Sequence, residues 1–170
     1  MKIAGFVAIM LWPLLGMGQE MHVSQGKGIV VISVWALKPY QLMSGEEKTA
    51  IFSVTCVQKG KKTGHLVKFI PGGDLVADSP DVTANSAGSV FNMTIGGTKQ
   101  MTEWVPADTV SYSYYAKSDA DRLKFIQALV SSPTVSIEFK PFLNGEVTTS
   151  TFDLTKFRQE MGKHAECGTN

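Results

Sequence analysis

The stretch Gly28 to Leu37 (GIVVISVWAL) opens on a run of β-branched residues and then alternates, as a core strand does. Pro39 ends it, because proline cannot donate to a ladder. Thr49 to Val57 alternates strictly. Ala50, Phe52, Val54 and Cys56 fall on its more apolar face, which points Cys56 into the core. Lys59 to Gly64 (KGKKTG) is polar and basic, and His65 to Ile70 returns as a strand, so the two strands predict a hairpin with a long loop. Pro71 to Pro80 is dense in turn residues and predicts an exposed loop, followed by a short strand at Asp81 to Asn85. Ser89 to Ile95 and Thr98 to Val105 flank Gly96-Gly97, a second hairpin. Thr109 to Tyr115 alternates, with Val110, Tyr112 and Tyr114 on one face.

The period then lengthens. Ser118-Asp119-Ala120-Asp121 resembles a capping box, and Leu123, Ile126, Leu129 and Val130 follow at helical spacing, predicting a helix from Asp119 to Val130. Thr134 to Phe139 and Gly145 to Phe152 alternate around Asn144-Gly145, a strong turn signal. Leu154, Phe157, Met161 and Ala165 share one face of a final helix that carries Cys167 at its end. About eight or nine short strands with two helices predict a mainly β protein, an antiparallel β-sandwich whose last helix is tethered by a disulfide.

The amino terminus has a different pattern. Lys2 precedes an apolar run from Ile3 to Leu15, and Gly16-Met17-Gly18 places small residues before Gln19. That is the layout of a secretory signal peptide over residues 1–18, leaving residues 19–170 as a single domain. As a helix the run would reach only ~20 Å, against ~30 Å of hydrocarbon, so it does not predict a membrane span. A periplasmic or secreted location follows, with no stable membrane insertion after cleavage. The whole chain has 170 residues, 44% hydrophobic and 18% charged, which excludes wholesale disorder. Its formal charge of +1 falls to zero once Lys2 is removed, so no field draws in nucleic acid.

Export changes how Cys56 and Cys167 read, since they are the only cysteines in the chain. In an oxidising compartment the pair predicts one disulfide, closing a loop of roughly 110 residues and worth ~4–5 kcal/mol in the chain-entropy model. The alternatives are free thiols or a metal or nucleophile site built on His164-Ala165-Glu166-Cys167, which offers fewer ligands than zinc requires. His22, His65 and His164 fall in no metal-binding spacing, and no nucleophile elbow or phosphate loop occurs. His22 lies in a segment expected to fray. Asp74, Asp78 and Asp81 lack the glycine and terminal glutamate of a calcium loop. Asn92-Met93-Thr94 fits a glycosylation sequon but falls in a predicted strand. No catalytic residue, metal or cofactor is therefore expected.

The remaining candidates are surface features. Lys59, Lys61 and Lys62 form a basic turn, either simply solvated or a binding edge for an acidic partner. Trp104, Tyr112, Tyr114 and Tyr115 cluster on neighbouring strands, as core or as a partner-binding patch. Trp104 and Tyr115 are the candidate anchors, with Tyr115 pointing away from the face of Tyr112 and Tyr114.

From Asp121 the order is helix, strand, Asn-Gly turn, strand and a helix ending in Cys. It carries Leu123, Phe125, Ile126, Ala128 and Leu129, then Ser136 to Phe139, Gly145, Thr151-Phe152-Asp153-Leu154-Thr155, Phe157 and Cys167. This stretch, under a third of the chain, resembles exported bacterial type VI secretion accessory proteins of the TagO/VasI kind, and more broadly invasion-associated locus B proteins. Lys156 stands where those families often carry glycine. The resemblance implies a secreted, β-rich accessory protein with a disulfide. The expected function is that of a non-enzymatic envelope accessory binding another envelope or secreted protein. The alternatives are a periplasmic inhibitor or immunity protein, and a small secreted hydrolase whose site the sequence hides.

Overall fold

The computed structural model describes residues 20–60, 62–72, 89–107, 111–141 and 146–167. Its strands are β1 (Met21–Gly26), β2 (Ile29–Trp35), β3 (Tyr40–Gln41), β4 (Glu47–Lys48), β5 (Ile51–Lys59), β6 (Lys62–Ile70), β7 (Ser89–Ile95), β8 (Thr98–Pro106) and β9 (Tyr112–Tyr114). Helix α1 (Asp119–Ser131), β10 (Thr134–Phe139), β11 (Thr148–Asp153), helix α2 (Thr155–Lys163) and a 3₁₀ turn at Ala165–Cys167 complete the order. The proposed strand at Asp81 to Asn85, the Asn144-Gly145 turn and residues 1–18 lie outside the described residues.

The chain is mainly β, as its alternation predicts. Nine strands form one antiparallel sheet in the order β1-β2-β5-β6-β9-β8-β7-β10-β11, and β3 pairs with β4 in a small second sheet. The large sheet curls until its two ends meet. Just past β2, the Leu37 amide donates to the Thr151 carbonyl of β11 at 2.8 Å. The inward faces then close on one core. Phe69 of β6 lies at its centre, with ring centroids 5.6 Å from Phe91, 6.4 Å from Trp104, 5.1 Å from Phe139 and 6.5 Å from Phe152. Edge-to-face geometry suits these rings, because it sets a positive edge against a negative face. One curled nine-stranded sheet, rather than two separate sheets, surrounds this core, an arrangement consistent with the expected sandwich.

The predicted facing of β5 is present: Ala50, Phe52, Val54 and Cys56 are all fully buried. Its hairpin with β6 is tighter than the sequence predicts. The ladder continues through Val57↔Gly64, Gln58↔Thr63 and Lys59↔Lys62, so KGKKTG is mostly strand. Gly60 at φ +64° supplies the left-handed turn that lets the strands run to their tip. β1 also departs from expectation. Rather than fraying, it pairs with β2 from Met21↔Val34 to Gly26↔Ile29, and His22 lies opposite Ser33.

Ser118 caps α1, its Oγ accepting from the Asp121 amide at 3.1 Å, with Asp119 and Asp121 favourable at the positive helix end. Phe125, Ile126 and Leu129 are its buried residues, whereas Leu123 is 45% exposed, contrary to the predicted face. On α2, Phe157 and Met161 are buried, as is Leu154 at its N-cap. Ala165, predicted on the same face, is exposed because the chain has by then left the helix for the 3₁₀ turn.

Candidate functional site

Two regions gather several of the residues singled out by sequence. The first is the tie between the carboxy terminus and the sheet. Cys56 and Cys167 form the expected disulfide, with Cα atoms 4.9 Å apart. Both are fully buried. Nε2 of His65, one strand over and opposite Cys56 in register, lies 2.6 Å from the Cys167 carbonyl oxygen. A carbonyl only accepts, so Nε2 carries the proton and donates. His164 instead pairs with Glu160 at 3.1 Å. Hydrogen bonding from Lys163, helped by His164, holds the Glu160 carboxyl below its usual range against the opposing effect of desolvation. The bridged sulfur cannot serve as a nucleophile, and no three His, Cys, Asp or Glu side chains gather as metal ligands among the described residues. This region is a structural clamp.

The second region is an open cleft of ≈ 340 Å³ where α1 passes beside β8 and the end of β9. Gln100 to Glu103 line it from β8, Tyr114, Tyr115 and Lys117 from the segment leading into α1, and Asp121, Lys124, Phe125 and Ala128 from the helix. Its floor is built by stacking: the Tyr114 and Phe125 rings lie 3.9 Å apart at 14°. Burial raises the Tyr114 pKa, and the carboxylates of Asp121 and Glu103 add to the shift. Its hydroxyl is thus a neutral hydrogen-bonding group at physiological pH. Met101, 76% exposed, and Tyr115, 50% exposed, present apolar surface at the rim. Lys117 and Lys124 balance Glu103 and Asp121 in charge.

The candidate anchors separate here. Tyr115 stands at the cleft as an exposed aromatic. Trp104 is 0% exposed and belongs to the core, which corrects its candidacy as a surface anchor. Its inward parity on β8 buries the ring, and its Nε1 is satisfied by donating to Thr102 Oγ1 at 2.8 Å. Thr102 in turn donates to the Phe91 carbonyl at 3.1 Å. Lys59 and Lys62 are exposed partners at the tip of the β5–β6 hairpin and do not line the cleft, while Lys61 lies outside the described residues. Sequence reasoning missed Met101. The available signal was parity: in TKQMTEWV, Met101 shares the outward face with Lys99 and Glu103, opposite to Trp104.

No family model, curated protein or solved structure matches the chain. Among the described residues no helix is long and apolar enough to cross a membrane.

Proposed function

We propose that this protein is exported to the periplasm or secreted and acts there without chemistry of its own, as an accessory that binds another envelope or secreted protein. The observation that carries the reading is the cleft beside α1. It offers an exposed tyrosine and methionine on a stacked aromatic floor; both residue types are enriched at interfaces, and tyrosine is among those that dominate binding hot spots. Export is supported by the layout of residues 1–18 and by the disulfide, a bond that persists in oxidising compartments. The resemblance of the last third to type VI secretion accessory proteins of the TagO/VasI kind supports an envelope role. The exposed pair Lys59 and Lys62 would act on encounter rate and salt dependence with an acidic partner, rather than on affinity.

The test is chemical as well as physical. Purified mature protein is incubated with peptidoglycan, peptide and ester substrates, and its amino terminus is read by mass spectrometry. The expected result is no turnover and a chain beginning at Gln19 or within about three residues of it. Turnover abolished by a single Ser, Asp, Glu or His substitution that preserves the fold would make the protein an enzyme. An intact Met1 on protein recovered outside the cytoplasm would remove the signal-peptide reading.

A further inference from the structure

Strand β8 forms one wall of the cleft, through Gln100 to Glu103. β8 pairs with β7 from Ser89↔Trp104 to Ile95↔Thr98. On its other side β9 covers only Trp104 to Pro106. Just beyond, the Tyr115 amide donates to the Glu103 carbonyl at 2.8 Å, and the chain then turns away into α1. Among the described residues no strand continues the line of β9 toward Thr98.

The direction of the backbone groups there follows from register. Successive residues of an antiparallel strand send their N–H and C=O groups to opposite sides. Ile95 and Thr98 flank the two-residue Gly96-Gly97 turn, so Thr98, Gln100 and Thr102 face β7. The backbone groups of Lys99, Met101 and Glu103 then point to the β9 side, and of these residues Met101 and Glu103 line the cleft. The bond from Tyr115 to the Glu103 carbonyl fixes the same parity independently. The Lys99 side chain does not cover this edge, because it reaches Glu138 of β10 at 3.0 Å, on the far side of β7.

We propose that the cleft receives an extended peptide segment of the binding partner, added to the β8 edge as a strand in line with β9. The inference rests on the cleft being the binding surface and names what it binds. Unpaired backbone donors and acceptors select an occupant that offers the same groups at strand spacing. The Lys124, Phe125 and Ala128 side of α1 forms the opposing wall, and Met101 and Tyr115 meet alternate side chains of the inserted strand, favouring apolar ones. Among the described residues no strand lies beside Lys99 and Met101, a stretch of edge whose length suits a peptide. A stable dimer needs ~1,200–2,000 Å² of buried surface.

An array of linear decapeptides of varied sequence, probed with the mature protein, tests this. The expected binders carry apolar residues at alternate positions. N-methylation of alternate peptide amides should weaken them tenfold or more, while methylation of the intervening amides changes little. Met101→Pro removes one edge N–H and leaves the β7 ladder intact, so it should fold and bind at least tenfold more weakly, whereas Met101→Ala keeps the edge and loses less. If Met101→Pro proves unfolded, the N-methyl scan decides alone. No binders, or binding indifferent to both backbone changes, would overturn strand addition. So would self-association that disappears in Met101→Pro, which would make the occupant a second copy. A partner weakened by Tyr115→Ala but indifferent to the backbone changes would leave the binding surface standing and remove only the inserted strand.

Discussion

Trp104 and Tyr115 share an aromatic cluster in the sequence and have opposite fates in the fold. Trp104→Ala empties a fully buried site and should cost about 3–5 kcal/mol, read by denaturant melts. Tyr115→Ala removes a half-exposed ring and should change stability by about 0.5 kcal/mol or less, yet weaken partner binding by about 2 kcal/mol or more. A large stability loss at Tyr115 would mean the ring is packing, not recognition. Tyr40 offers a pH test. Its hydroxyl donates to the Pro71 carbonyl at 2.8 Å, and burial pushes its pKa from 10.0 up to about 12. The unfolded chain releases this proton more readily than the folded one. The contribution of Tyr40 is therefore complete below pH 10 and is lost as pH rises through about 12. Tyr40→Phe should remove that component of the alkaline decline and cost about 1 kcal/mol at neutral pH, by leaving the Pro71 carbonyl without its donor.

Among the elements, the turns carry the sharpest constraints. Gly28 at φ +68° would place an added Cβ 2.8 Å from the Gln58 carbonyl oxygen, while Gly97 at φ +84° has open space around it. Gly28→Ala should therefore cost more than Gly97→Ala. The latter meets only the left-handed backbone penalty of about 1–2 kcal/mol. Equal losses in thermal melts would contradict this placement of the β1–β2 turn against β5. The same elements show what the sequence makes legible. Strict alternation located β5, and Gly96-Gly97 announced the β7–β8 hairpin, because these signals are local. The tight β5–β6 hairpin was hidden because Lys59, Lys62 and Thr63 are polar on both faces at a tip with no core to face. β1 was hidden for a related reason. Met21 and Val23 are its half-buried inward residues, and its stability comes from pairing with β2 rather than from its own pattern. Leu123 shows the opposite failure, an apolar residue at the right spacing whose side of α1 happens to face solvent. The cleft was not legible at all. It exists because β9 stops at Tyr114, and a strand's length depends on where its neighbours run.

At the scale of the molecule, a curled sheet is closed by its own ends and pinned at one place by the carboxy terminus. Cys167 lies fully buried between Cys56 and His65, so the disulfide and the 2.6 Å hydrogen bond fix the 3₁₀ turn against β5 and β6. The bridge spans a sequence separation of 111. Cys167→Ala should lower stability by about 2–5 kcal/mol under oxidising conditions, with the difference from wild type shrinking in reductant. Native protein with two titratable thiols would contradict the bridge. The clamp and the cleft involve different strands, β5 and β6 in one case and β8 with α1 in the other. Loss of the disulfide should therefore act on folding rather than on recognition. The central claim is that the cleft beside α1 is where this protein meets its partner. Site-specific photocrosslinking tests it most directly, with a benzophenone side chain at position 115 and, for comparison, at the similarly exposed position 123, which the helical period places on the side of α1 opposite to Asp121, Lys124 and Phe125, in cells exporting the protein. A discrete adduct from position 115, competed by binding-competent protein but not by Tyr115→Ala, is the expected result. An adduct from position 123 alone, or none from position 115 when the protein is folded and exported, would contradict it.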